Sequence, residues 1–101
     1  MAHVEWSAPA RDDLKEIFSY IAADNPAAAW EIFDEIEAAG PRLEDNPKIG
    51  REGLVTDTRE LVIRSWLLIY DFDELSDRVT VRAVVHQKRN WPKTGRSLSS
   101  E

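Results

Sequence analysis

No cysteine occurs in the chain. That excludes a disulfide scaffold, a thiolate metal site and a cysteine nucleophile. Histidine is nearly as scarce. His3 and His86 alone do not make a metal site, which needs three or four convergent ligands. Gly40, Gly50, Gly53 and Gly95 lack the spacing of a phosphate-cradling loop. No Ser/His/Asp set stands out around Ser7, Ser19, Ser65 or Ser76. Nothing calls for a cofactor. The longest apolar stretch lies near Trp66–Tyr70, far short of the ~20 residues that span a bilayer. Met1–Ala10 has no basic start followed by an apolar run, so no secretion signal is read and a cytoplasmic location is expected.

Net positive charge is also missing. With 13 basic and 19 acidic residues the chain carries −6. Proteins that grip nucleic acid by its phosphates usually present a positive field, so this balance counts against an RNA-binding protein. The charge is uneven, however. From Arg78 onward Arg78, Arg82, Lys88, Arg89, Lys93 and Arg96 face one acid, Glu101. A basic C-terminal end on an acidic body points to a local anionic contact.

What is present is a pattern of short, punctuated elements in a chain of 101 residues, 43% of them hydrophobic. That is the size of one small domain, with a modest core and marginal stability that a partner would raise. His3–Ser7 reads as a strand with Val4 and Trp6 on one face. Ser7 is placed to cap a helix that carries Pro9 in its first turn. Leu14, Ile17, Phe18 and Ile21 form its apolar stripe, with Asp12, Asp13, Lys15 and Glu16 off it. Asn25-Pro26 closes this helix and opens a second, whose stripe is Ala29, Ile32, Phe33, Ile36 and Ala39, with Trp30 at its edge. Gly40-Pro41 predicts a kink, followed by one more turn to about Glu44. Lys48–Thr58 reads as a loop. Three strands follow. Arg59–Ser65 has Leu61 and Ile63 on one face. Trp66–Phe72 is apolar on both sides, as in a covered central strand. Val79–Val85 has Val79, Val81, Ala83 and Val85 aligned. The expected fold is α+β in two layers, ordered β-α-α-β-β-β, with an N-terminal strand and a helical hairpin packed on an antiparallel sheet. Residues 1–92 read as the single domain and 93–101 as a frayed tail.

Several segments carry a resemblance. They are Ala10-Arg11-Asp12-Asp13-Leu14 with Ile17 and Tyr20-Ile21-Ala22, then Asn25-Pro26-Ala27-Ala28-Ala29, then Leu43 to Pro47 with Gly50-Arg51. Thr58-Arg59-Glu60-Leu61-Val62 and Leu67-Leu68-Ile69-Tyr70 follow, and His86, Arg89, Trp91 and Pro92 close the series. In this order and spacing, over residues 3 to 92, the chain resembles the ParE branch of the RelE/ParE toxins. It departs from many relatives at Asp71, where they place a basic residue, and at Trp66, where they place tyrosine.

The resemblance implies the toxin of a type II toxin–antitoxin system, neutralised by a ParD-like antitoxin in a hetero-oligomer. ParE-type relatives are associated with poisoning DNA gyrase by binding, without catalysis. The RelE-like alternative is a ribosome-dependent, metal-free mRNA endoribonuclease, which needs cations on the phosphate and an acid/base pair. A further alternative is a divergent binding module with little toxicity. The arginine of RelE-like members falls near Leu67, which cannot clamp a phosphate. Arg59, Arg64, Arg82, His86, Lys88 and Arg89 are the residues from which a substitute site would be built. As ordinary structure, Arg59 and Arg64 are solvated strand residues and His86 finishes a strand. No catalytic residue is assigned. Trp6 and Trp30 read as core or helix–sheet contacts, and Trp91 as a lock against the body. Tryptophan and arginine dominate interface hot spots, and the helical hairpin is more apolar than one sheet face needs. The antitoxin-binding candidates are therefore Trp30, Phe33, Arg64, Trp66 and Arg82. The target-binding candidates are Lys88, Arg89 and Trp91.

Overall fold

The computed structural model describes residues 1–88, and Arg89, Trp91 and the predicted tail lie outside the described residues. Strand β1 spans His3–Trp6, helix α1 Ala8–Ala22, α2 Pro26–Glu37 and α3 Ala39–Asp45. Strands β2 (Arg51–Glu52), β3 (Arg59–Ile63), β4 (Trp66–Asp73) and β5 (Arg78–His86) complete it. The capping residues act as read from the sequence. The Ser7 side chain accepts from the Ala10 N–H at 3.2 Å and the Asn25 side chain from the Ala28 N–H at 3.1 Å. The break before Gly40-Pro41 falls at Ala38, and the extra turn is a helix of its own.

The five strands form one sheet in the order β1-β5-β4-β3-β2. β3, β4 and β5 make the expected antiparallel meander. Two details differ from expectation. β1 pairs in parallel with β5, so the sheet is mixed rather than wholly antiparallel. The meander leaves β5 running in the direction of β1, and the intervening helices supply the crossover that a parallel pair needs. The predicted loop also contains β2, a two-residue strand on the edge of β3.

The helices cover one sheet face. Ile17, Ile36, Ala39 and Leu43 pack there with Leu61, Ile63, Leu68, Tyr70, Val79, Val81 and Val84. A β-bulge alters the predicted alternation of β5. Tyr70 faces Val81 while Ile69 faces Ala83, so Arg82 is the extra residue. Val79 and Val81 consequently point to the helices, whereas Ala83 and Val85 join Leu67 and Ile69 in a cluster on the other face. A bulge does this because the added residue shifts the two-residue period by one.

Asp13 is also placed differently. It is buried, not solvated, and its Oδ2 accepts the Val84 N–H at 2.9 Å. The register of β1 ends at Trp6 opposite Val81. Beyond that point α1 supplies through Asp13 an acceptor that the strand no longer offers.

Tyr70 locks the loop before β2. Its Oη donates to the Pro47 carbonyl at 2.8 Å and accepts from the Gly50 N–H at 2.9 Å. Burial pushes its pKa up from 10.0, partly offset by the Gly50 N–H and the nearby Arg59. Gly50 is needed for this close approach, since a Cβ there would lie 2.8 Å from both the Glu60 carbonyl and the Tyr70 Oη.

Candidate functional site: an aromatic groove on the helical hairpin

The α1 stripe has two sides. Ile17 is buried against the sheet, while Leu14 and Phe18 turn toward α2. From α2, Trp30 and Phe33 meet them. Phe18 contacts Trp30 edge-on at 4.7 Å between ring centroids and Phe33 at 6.1 Å, and Trp30 and Phe33 are 5.7 Å apart. These rings, with Trp6, line an open groove of about 690 Å³ bordered by Arg11, Lys15 and Glu37. Trp30 is 57% exposed. That corrects the reading of Trp30 as a core contact and agrees with an apolar surface wider than the sheet requires. An exposed Trp30 beside the half-buried Trp6, Phe18 and Phe33, rimmed by charge, has the composition of a protein-binding surface.

The other sequence-selected residues are not gathered here. Trp66 sits at the start of β4, with its ring 5.2 Å from that of His86. Both line a second cleft with Asp13, Tyr20 and Lys88. The His86 Nδ1 accepts the Lys88 N–H at 3.1 Å, so His86 organises the turn that ends β5. Lys88 is exposed. Arg64 is in the β3–β4 turn rather than in a strand and is paired with Glu31 and Glu35 of α2. Arg82, on the bulge, holds Asp71 at 2.6 Å. The acid at the position where many relatives are basic therefore has its own counter-ion. Arg59 is not a freely solvated strand residue, because its Nη1 donates to the Gly50 and Lys48 carbonyls at 2.8 and 3.2 Å. Phe18, Trp6, Arg11 and Lys15 were not selected from the sequence. Phe18 was hidden because its helical spacing serves core and groove equally well.

Leu67 is buried in the apolar cluster with Ile69, Ala83 and Val85. Among the described residues no group of His, Cys, Asp or Glu is arranged to hold a metal ion, and no helix is long and apolar enough to cross a membrane.

Residues 4–91 match the model of a family described as the ParE toxin of the type II toxin–antitoxin system parDE. The chain belongs to this ParE toxin family. It is 34% identical over 89 residues to a Sinorhizobium fredii protein named "Putative toxin Y4kP", covering 88% of this chain and 92% of that one. A chain of the chromosomal ParDE toxin–antitoxin system of P. aeruginosa shares the fold with a TM-score of 0.75, at 18% identity over 85% of this chain and 96% of that one. A chain of the intact E. coli RelBE toxin–antitoxin complex gives 0.64 at 14% identity, covering 88% and 100%. The ParE fold thus carries, in this member, an aromatic groove on its hairpin and a buried apolar cluster on the sheet face away from the helices. The chain is a type II toxin–antitoxin toxin of the ParE/RelE superfamily.

Proposed function

We propose that this toxin inhibits growth by binding a cellular target rather than by cutting RNA, and that a ParD-like antitoxin neutralises it by laying an amphipathic helix in the Phe18–Trp30–Phe33 groove. The exposed aromatic groove carries the reading of the partner. Helix-in-groove recognition uses apolar anchors spaced three, four and seven residues apart, and three edge-packed rings give such anchors a preformed surface. Arg11 and Lys15 favour acidic residues flanking the partner's apolar stripe, a complementarity that acts mainly on association rate and register. The P. aeruginosa and E. coli structures named above are of toxin–antitoxin systems, which is the setting this reading needs.

Binding rather than nuclease chemistry is supported by the sheet face. A metal-free ribonuclease needs cations aimed at the phosphate and a free acid/base pair. Here Leu67 lies in an apolar cluster, Arg82 is paired with Asp71 and the His86 Nδ1 is occupied by a backbone N–H. A replication target such as DNA gyrase is the proposal that follows from family membership. Lys88, Arg89 and Trp91 are the proposed contact with it. Arg64, Trp66 and Arg82 remain proposed secondary contacts for the antitoxin, outside the groove.

Expression of the chain with the small reading frame beside its gene, followed by affinity purification, tests the pairing. A small partner that co-elutes with the wild type and is lost from Trp30→Ala supports the groove. A partner retained equally by Trp30→Ala and Phe33→Ala places the interface elsewhere.

A further inference from the structure

The turn between β3 and β4 contains a local conflict. Ile63 pairs with Trp66, so Arg64 and Ser65 form a two-residue hairpin loop. Arg64 has φ of 56°, and Ser65 is not among the positive-φ residues. A two-residue loop with positive φ at its first position calls for glycine there. Arginine holds the position against that preference. Its side chain crosses to α2, where it pairs with Glu35 and, at 3.6 Å, with Glu31. The three side chains are 50%, 36% and 63% exposed, and ion pairs this exposed add little to stability. Stability therefore does not account for the strained choice.

The packing of α2 does account for it. This helix packs chiefly on α1 and α3 and reaches the sheet through Ile36, with Ile32 beside it, on its inner side. On α2, Trp30 and Phe33 face the groove, Ile36 is buried beneath, and Glu31 and Glu35 lie on the side away from the groove. Among the described residues, Arg64 adds to that inner contact a tie from the β3–β4 turn to the outer side of α2. The turn itself is fixed from the other direction, since the Ser65 carbonyl accepts the Gln87 N–H at 2.8 Å and the Arg64 carbonyl accepts from the Gln87 side chain.

We infer that Arg64 is a positioning residue for the aromatic groove: by holding Glu31 and Glu35 it sets the place of α2 on α1, and so the alignment of Trp30 and Phe33 with Phe18. This rests on the groove being the partner site, but its test needs no partner. The experiment measures amide hydrogen exchange across the isolated full-length chain, its thermal midpoint, and the nuclear Overhauser contact between the Phe18 and Trp30 rings. Arg64→Gly relieves the backbone, so the thermal midpoint should not fall by more than about 4 °C. Exchange in α2 should nevertheless rise about two- to fivefold, the scale of a surface ion pair, with α1 unchanged and the ring contact weakened. Glu31→Gln/Glu35→Gln should reproduce the rise and add nothing to Arg64→Gly, because both act through one contact. Arg64→Lys should recover part of the protection, keeping the charge but losing the fork that spans two carboxylates. Unchanged α2 exchange, effects that multiply in the combined variant, or a fall in midpoint beyond about 4 °C would each overturn the inference. Failure here leaves the groove reading standing, and a partner retained equally by Trp30→Ala and Phe33→Ala would sink that reading without touching this one.

Discussion

At the residue scale, Tyr70 and Asp13 show how polar groups hold this small core. Tyr70 serves two backbone groups of the loop before β2. Tyr70→Phe leaves the Pro47 carbonyl and the Gly50 N–H without that partner, and should cost about 1–3 kcal/mol in denaturant unfolding. Gly50→Ala strikes the same place from the other side and should also lower the midpoint. The raised pKa of Tyr70 fixes a sign. The folded state holds the proton more tightly than the unfolded chain. This contribution is therefore complete below tyrosine's ordinary value of 10.0 and is lost as pH rises from there through the folded value. Chemical denaturation from pH 8 to 11 should show an alkaline decline in the wild type that is smaller in Tyr70→Phe. Equal declines would move the titrating group elsewhere. Asp13→Ala removes an acceptor from a buried strand N–H, and a loss of about 1–3 kcal/mol is expected. Asp13→Asn retains an acceptor oxygen and should lose less.

At the element scale, local chemistry was legible wherever it decides by itself. Ser7 and Asn25-Pro26 mark helix starts through capping, and the run from Trp66 to Tyr70 marks a strand covered on both faces. The misreadings have tertiary causes. Nothing local distinguishes Asp13 from Asp12, since its burial depends on where β1 stops beside β5. The bulge at Arg82 depends on pairing with β4, and its trace in the sequence is the run Ala83-Val84-Val85, three apolar residues where alternation would put a polar one. β1 reads correctly as a strand, but its parallel partner is chosen by a crossover through three helices. Of the candidate site, Trp30 and Phe33 were visible as excess apolar surface. Phe18 was not, because a helix period assigns residues to a stripe without saying which neighbour covers which edge. The groove yields a direct expectation at this scale. Trp30→Ala should leave the thermal midpoint nearly unchanged, since the side chain is largely exposed, yet weaken a helical partner by about 2 kcal/mol or more, roughly 30-fold. Calorimetric titration of the co-purified partner would measure it. A drop in stability with unchanged affinity would return Trp30 to the core.

At the scale of the whole molecule, the proposed binding mechanism rests on the distribution of charge and apolar surface. The net charge is −6, and polyanion binding to such a surface works against the field, only partly screened at cellular salt. The sheet face that a nuclease would line with cations is apolar at its centre. The His86 Nδ1 accepts the Lys88 N–H and its ring packs edge-on against Trp66. The central claim is that toxicity needs no general acid or base. Removal of a true acid/base residue lowers rate by ~10²–10⁴. His86→Asn keeps an acceptor for the Lys88 N–H while removing the imidazole, so it separates chemistry from folding better than alanine. The deciding measurement is growth of cells expressing His86→Asn without antitoxin, with circular dichroism on the purified variant to establish that it folds. The account predicts growth inhibition equal to the wild type. A folded His86→Asn chain that no longer inhibits growth would contradict it and point to the ribonuclease mechanism.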